Sequence, residues 1–318
     1  MKKVTIEDIS QATGLSRGTV SRAINDRPDI SKSTRELVLR TCRDMNYVPH
    51  PAARTLATGR SYAVAVLVTD ITSADSARFV RGALAAADEA AYTVQIVELG
   101  TEPETARRRI AALAPVRTDG LLIHGDWNDA EASALTEAIP SARASTTSPV
   151  PGLESDLVGP DFAEAGRLAA RRLCESGVDR VALLDDHAVP GSAQIRAGFS
   201  EVCEQAGATC SIFEASEEDA RGAARACESA AGLPAAVGVS DAWAIRVRWA
   251  NRGLARVIGI GNSAICNLVD PPLTSVDLSW VEIGRRAFQV LVQRIGGERH
   301  DAPLRVAVAP RIVVRGGI

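Results

Sequence analysis

Asp185, Asp186 and His187 stand side by side after an apolar run. These residue types serve metal ligation or acid–base catalysis when they converge on one point. Adjacent side chains on a strand or loop diverge, so a solvated loop is the favoured reading. Gly259-x-Gly261-x-x-Ala264 follows a second apolar run and has the outline of a dinucleotide-binding turn. Such a turn opens the first βα unit of its domain, whereas this one lies late in the chain, just before Pro271-Pro272. A tight strand-end turn is therefore preferred. The four histidines (His50, His124, His187, His300) have no ligand spacing. The six cysteines (Cys42, Cys174, Cys203, Cys210, Cys227, Cys266) form no CxxC pair and read as reduced, buried thiols of a cytoplasmic protein. No nucleophile-elbow sequence accompanies a Ser/His/Asp set. Neither catalytic residues nor a metal nor a cofactor is expected.

The cationic residues are more informative. The chain carries 36 Lys/Arg against 39 Asp/Glu, but residues 1–60 hold 11 against 6 and the remainder 25 against 33. A basic head on an acidic body points to a polyanion met by the head alone. Three helices are read in residues 1–46. Thr5 with Asp8 caps the first, which buries Ile6, Ile9 and Ala12 and ends at Gly14. Ser16 caps the second, with Val20, Ala23 and Ile24 on one face and Arg17, Gly18, Ser21 and Arg22 on the other; Asn25, Asp26 and Pro28 end it. The third opens at Ser31 to Thr34, with Leu37, Val38, Thr41, Cys42 and Met45 as its core stripe. Helix, glycine turn, short helix is the helix-turn-helix layout, whose second helix enters the major groove. Two arginines and small hydroxyls suit guanine edges and phosphates. A plain helical bundle with a charged face has the same spacing.

Residues 47–60, YVPHPAARTLATGR, join head to body. Pro49 and Pro51 stop the preceding helix, and Ala52, Ala53, Leu56 and Ala57 form an apolar stripe before Gly59. Two helical turns do not persist alone in water. The segment is either a linker with a helical turn or a joint that folds only against a partner.

From residue 61 onward apolar runs alternate with helical segments: YAVAVLV, a helix at 77–91, TVQIVEL, a helix at 103–113, GLLI, and then a polar stretch at 140–160. The rhythm resumes with helices at 161–176, 191–206, 217–230 and 241–252 between RVALL, TCSIF, AAVGV and RVIGI. This βαβ repetition predicts an α/β body with parallel sheets in two lobes and a ligand crevice at the strand C-termini. No 18-residue uncharged apolar run or signal peptide is present, so neither a membrane span nor export is expected.

TIEDISQATGLSRGTVSRAIN, SKSTRELV and NYVPHPAARTLATGRS together resemble the head of the lactose-repressor (LacI/GalR) family of bacterial transcription factors through nearly every residue of 4–61. The resemblance implies a homodimer, or a higher assembly, on a double-stranded DNA operator. Arg17 and Gly18 match base-reading positions, followed by Thr19, Val20, Ser21 and Arg22. Thr5, Ser16, Thr19, Ser21, Asn25, Ser31, Thr34 and Tyr47 match positions that hold or approach phosphates. Gly18 replaces a larger side chain, so discrimination is expected to rest on Arg17, Arg22 and DNA shape; His50 replaces a frequent asparagine. In the family the joint becomes a short helix paired with its twin in the minor groove, Ala53 and Ala57 permitting close approach and Leu56 wedging between base pairs.

More loosely, GVDRVALL, IRAGF, VSDAWA, PPLTSV, EIGRRA and VAPRIVVRG match the periplasmic-binding-protein-like core of that family. Arg196 and Asp241 stand where its arginine and acid meet the effector. Ser240 replaces the usual asparagine before that acid, Gly261 a customary aspartate, and Asp75 and Ser76 two customary aromatics. Asp75, Ser76, Asp126, Arg196 and Asp241 are the candidate effector contacts, with Trp127 beside Asp126. The expectation is a regulator, most simply a repressor, controlled by a sugar, polyol or nucleoside-like molecule. The rival is a sugar- or nucleoside-binding or processing protein carrying a vestigial head.

Overall fold

The computed structural model describes residues 4–25, 27–47, 59–100, 102–113, 117–125, 141–144, 155–214, 216, 220–230, 233–250, 256–300 and 302–316. The chain divides into a unit of residues 1–63 with 117–119 and a unit formed by the rest.

In the first unit, α1 (Ile6–Thr13), α2 (Arg17–Ile24) and α3 (Lys32–Asp44) enclose a small core of Ile9, Val20, Ala23, Val38 and Cys42. Each helix starts on a hydroxyl cap: Thr5 in a reciprocal capping box with Asp8, Ser16 accepting from Thr19 N, and Ser31 accepting from Thr34 N. Gly14 adopts φ 69°, the left-handed conformation that ends α1. Two expected core residues are corrected. Ala12 is exposed, and Leu37 is 47% exposed. The buried stripe of α3 runs through Val38, Cys42 and half-buried Met45, and Leu37 lies a hundred degrees around the helix from Val38. Ser61 and Tyr62 donate their backbone N–H groups to the Asp119 carboxylate at 2.7 and 2.8 Å.

The second unit contains two six-stranded sheets of the same plan. β1 (Ala63–Val68), β2 (Thr93–Glu98), β3 (Gly120–His124), β4 (Ser141–Ala144), β5 (Asp156–Pro160) and the late β11 (Arg305–Val308) form one, in the order β11-β5-β4-β3-β1-β2. β6 (Arg180–Asp185), β7 (Thr209–Glu214), β8 (Ala235–Gly238), β9 (Arg256–Ile260), β10 (Thr274–Asp277) and β12 (Arg311–Val313) form the other, in the order β12-β10-β9-β8-β6-β7. Only β12 pairs antiparallel among the registered pairs. Central strands such as β1 and β3 are buried throughout, whereas edge strands β2 and β7 are half exposed, as covered parallel sheets require.

The helices are α4 (Ala74–Glu89), α5 (Pro103–Ala111), α6 (Phe162–Glu175), α7 (Ser192–Gln205), α8 (Ala220–Ser229), α9 (Asp241–Ala250) and α10 (Trp280–Gly296), with a 3-10 turn at Ala264–Asn267. α4 begins three residues before the sequence suggested, which places Asp75 and Ser76 in its first turn. β4 and β5 lie at the two ends of what reads as a polar connection.

The lobes are not two consecutive runs of chain. After β5 the chain enters the second lobe through α6, returns after β10 through α10, and passes between sheets again from β11 to β12. Hydrogen bonds tie these crossings together. Asp277 accepts from Ser279 N at 2.9 Å and pairs with Arg311 at 3.1 Å; Ser279 Oγ donates to Ala309 O at 3.2 Å.

In each lobe one helix pair meets at reciprocal glycines. A Cβ on Gly82 of α4 would lie 1.9 Å from Val281 O, and one on Gly284 of α10 would lie 2.1 Å from Phe79 O. The α6–α7 pair repeats the device, with Gly166 against Ile195 O and Gly198 against Ala163 O, both at 2.0 Å. Backbone thus packs on backbone, and the N-terminal turns of all four helices meet one cavity.

Candidate functional site

On the head, Arg17, Gly18 and Arg22 are exposed on one face of α2, opposite buried Val20 and Ala23. Arg17 lies 3.2 Å from Glu7 and Arg22 3.5 Å from Asp29, all four side chains at least half exposed. Ion pairs that open cost little to break, so both guanidiniums remain available to another anion. Thr5, Ser16 and Ser31 cap three helix N-termini, where backbone N–H groups and the helix dipole favour anions. Thr19 and Thr34 hydroxyls lie 2.9 and 2.8 Å from the capping Ser16 and Ser31. Half-buried Asn25 donates through Nδ2 to Ser21 O at 2.9 Å. Tyr47 packs against the head core, where burial raises its pKa. His50, Ala53 and Leu56 lie outside the described residues.

In the body, a cavity of about 250 Å³ opens between the two sheets at their strand C-termini. One wall carries Thr69, Asp70, Ser73, Asp75, Ser76 and His124; Phe162, Val189, Pro190, Ile195, Val239 and Ser240 face it, and Leu278 and Trp280 arrive on the second crossing. In both sheets the strand order reverses beside these ends, the topological switch where α/β folds hold ligands.

His124 ends β3 at 5% exposure, stacked on Phe79 with centroids 4.6 Å apart and edge-on to Trp280 at 4.8 Å. Burial pushes its pKa down to about 4, so it is neutral at physiological pH, and its Nδ1 has no hydrogen-bond partner. Asp75 is pushed up to about 6 by burial, opposed by Arg78 and by the Trp280 indole and reinforced by Asp241 and Asp277. The Trp280 Nε1–H approaches Asp75 closely enough to favour its ionised form but reaches no acceptor in hydrogen-bonding geometry. Arg78 does not answer Asp75 fully, because its guanidinium crosses between lobes and donates to Gly261 O at 2.5 Å and to Asn262 O.

The Asp75 shift has a measurable sign. Its folded pKa exceeds the ordinary value of 3.8, so the ionised carboxylate destabilises the fold. That penalty is absent below about pH 4 and complete above about pH 6. Asp75→Asn is expected to raise stability by about 1–3 kcal/mol at pH 8 and to change nothing at pH 3.5. Urea melts at both pH values check this; equal midpoints at pH 8 would remove the proposed penalty.

The other candidate contacts are distributed differently. Asp75 and Ser76 line the cavity, whereas Arg196 and Asp241 are not among its lining residues. Arg196 Nη1 lies 3.1 Å from Asp185 and 2.9 Å from Glu214, one residue beyond Ile195, which does line the cavity. The pair with Asp185 is close in distance without hydrogen-bond geometry, and burial raises the Asp185 pKa. Asp241 is 4% exposed; its Oδ2 accepts from Ser263 N and Oγ, both at 2.6 Å, and its Oδ1 from Ser275 Oγ at 2.5 Å. Asp126 and Trp127 lie outside the described residues.

The motifs weighed for other chemistry acquire structural roles. Asp185 faces Arg196, Asp186 accepts from Trp243 Nε1 at 3.2 Å, and exposed His187 lies 3.4 Å from Glu214. The trio diverges. A Cβ on Gly259 would lie 2.3 Å from Asp241 Oδ1, and Gly261 at φ +126° would place one 3.2 Å from Oδ2. These glycines admit the Asp241 carboxylate, which accounts for the dinucleotide-like spacing. Among the described residues five cysteines are free, with Cys42, Cys203 and Cys266 buried.

Sequence reading missed His124, Phe162 and Trp280 as cavity residues. The position of His124 at the end of a central strand was a usable signal, since open α/β sheets bind ligands there. Trp280 offered none, because nothing local shows that its helix returns to the first lobe.

Comparisons with known proteins agree with both parts. Residues 5–50 match the model of the bacterial regulatory proteins of the lacI family, and residues 170–318 that of the periplasmic binding protein-like domain. The HTH-type transcriptional repressor PurR of Vibrio vulnificus (strain CMCP6) is 27% identical over 326 residues, covering 98% of this chain and 97% of that protein. The HTH-type transcriptional regulator CelR of Thermobifida fusca is 29% identical over 338 residues, covering 99% and 98%. A lac repressor dimer bound to operator and the anti-inducer ONPF superposes with a TM-score of 0.75 at 19% identity over 99% of both chains. A CelR–cellobiose complex does so with 0.68 at 24%, over 99% of this chain and 100% of that one. Such structural likenesses speak for the fold. The chain thus carries a DNA-binding head of the lacI type and a periplasmic-binding-protein-like body, and from end to end it is similar to HTH-type transcriptional regulators.

Proposed function

We propose that the chain is a cytoplasmic repressor that binds a palindromic operator as a homodimer and responds to a small polar, sugar-like effector in the cavity between the lobes. The observation that carries this reading is the exposed α2 face, Arg17 and Arg22 beside three hydroxyl-capped helix N-termini, on the same chain as that cavity. Relatives named as repressors and the operator and cellobiose complexes of similar proteins support it. Among the described residues no helix is long and apolar enough to cross a membrane. Dimerisation has further support in Trp249, Ile265 and Leu268, exposed by 66%, 41% and 81%. Trp249 is on α9, Ile265 in the 3-10 turn and Leu268 at its C-cap. Large exposed apolar side chains are the kind that a partner surface covers.

Control is a matter of linkage. Effector binding selects one arrangement of the lobes, whose crossings meet at Asp277, Ser279 and Arg311, and so changes the free energy of folding residues 47–60 on DNA. A coupling of about 1–3 kcal/mol changes operator affinity roughly 5–150-fold. The test is selection of bound sites from random duplexes followed by footprinting. Two half-sites about one helical turn apart are expected, with affinity falling steeply as salt rises. In the same assay Leu56→Ala should reduce affinity and DNA bending while leaving the thermal stability of the body unchanged. A single asymmetric half-site would exclude the symmetric dimer, equal bending would exclude the wedge, and retention of no specific duplex would favour a binding or processing protein with a vestigial head.

A further inference from the structure

The cavity wall has a chemical bias that the general reading of a sugar-like effector does not contain. Among the described residues its lining includes two carboxylates, Asp70 and Asp75, and no lysine or arginine. Asp70 is occupied locally, its Oδ1 accepting from Thr72 N and Oγ1 at 2.8 and 2.7 Å. Asp75 is not comparably answered. Arg78, one turn along α4, spends its guanidinium on the carbonyls of Gly261 and Asn262. The other charged groups that act on Asp75, Asp241 of α9 and Asp277 of β10, are both negative, and Trp280 of α10 offers only its indole N–H. His124 of β3 is neutral and adds no positive charge. The Asp75 carboxylate therefore shares the cavity with the rings of Trp280 and Phe162, groups that suit a cation or the apolar side of a sugar.

His124 and Trp280 also line the cavity, 5% and 2% exposed, and bring rings but no positive charge to Asp75. At about 250 Å³ the cavity falls below the roughly 300 Å³ at which pockets for drug-sized ligands begin, so the occupant is of monosaccharide size.

We propose that the effector is a small hydroxylated amine, an amino sugar or amino alcohol, whose protonated nitrogen pairs with Asp75 while its carbon skeleton lies against Trp280 and its hydroxyls reach His124. This rests on the cavity being the effector site. Anionic ligands such as sugar phosphates or uronic acids are excluded by the same charges, because like charges in a desolvated pocket repel.

The experiment uses the full-length protein and two matched series in isothermal titration: D-glucosamine, D-glucose and D-glucuronate on a ring, and 5-aminopentanol, 1,5-pentanediol and 5-hydroxypentanoate on an open chain. In at least one series the amine is expected to bind on the order of tenfold or more tighter than the neutral compound, the yield of one charge-assisted hydrogen bond in a buried site, with no binding of the acid. Asp75→Asn should bring the amine down to the neutral level, and in the open-chain series, whose amine stays protonated, lowering the pH from 8 to 5 should shrink the preference as Asp75 takes up its proton. Trp280→Leu should weaken every ligand that binds, with melting curves confirming that both variants fold. A neutral compound binding as tightly as its amine, or no amine binding at millimolar concentration, overturns the proposal. If ligands bind but neither variant alters them, the cavity reading itself fails.

Discussion

Gly284→Ala is expected to destabilise the body by about 3 kcal/mol, the upper part of the range for forcing atoms into a packed core. The added Cβ would lie 2.1 Å from the carbonyl oxygen of Phe79 and 2.9 Å from its carbon. Backbone cannot rotate out of the way as a side chain can, so α4 and α10 must separate. The consequence extends to function, because this crossing holds Asp75 of α4 beside Trp280 of α10. The variant should lose effector affinity as well as stability. Gly296→Ala is the control: it lies in the same helix, and its Cβ would meet only the Glu298 side chain at 3.6 Å. Removing a glycine from a helix at a roomy position is neutral or stabilises by up to about 1 kcal/mol. Urea unfolding of the two variants beside the parent decides the matter. Equal midpoints for both would show that the helices do not meet in this way.

Asp241→Ala carries an effect of similar size for a different reason. The carboxylate accepts three hydrogen bonds, two from Ser263 and one from Ser275, at 2.5–2.6 Å in a site where Asp241 is 4% exposed. Alanine leaves the Ser263 N–H and the Ser275 hydroxyl without their acceptor, and each unsatisfied buried group costs about 1–3 kcal/mol. A total loss of about 3 kcal/mol is expected without any ligand present. Asp241→Asn should recover part of it, since its amide oxygen still accepts. The position is one at which family resemblance implies effector contact, and the measurement separates the two roles. A variant that melts like the parent yet loses its effector response would make Asp241 a ligand contact. The expected pattern, lower stability with an unaltered charge preference for ligands, makes it the pin between α9, the β9 turn and β10.

The different legibility of head and body follows from where their determining interactions lie along the chain. Thr5, Ser16 and Ser31 cap helices because a hydroxyl and the N–H three residues on are brought together by local geometry alone. Val38 and Cys42 share a face because of the helical period, and Leu37, the immediate neighbour of Val38, turns away from that face. The buried central strands and their intervening helices were likewise legible as apolar runs at regular intervals. Charge partition between head and body needed only counting.

The cavity between the sheets was legible only in its location at strand ends. Asp75 and Ser76 were found because they stand at matching family positions, but the pairing of Arg196 with Asp185 and Glu214 depends on β6 and β7 lying beside α7. Gly259 and Gly261 read as a dinucleotide turn until the fold brought Asp241 against them, some twenty residues away. Trp280 reaches Asp75 and His124 only because the chain returns to its first lobe after β10. By itself the sequence determined the helical head, its basic face and the alternation of strand and helix, all products of contacts within a few residues. Tertiary structure decided which strand ends face one another, which carboxylate remains unanswered and which rings close the cavity. Those outcomes depend on sheet order and chain crossings between residues up to two hundred positions apart, for which local periodicity carries no information.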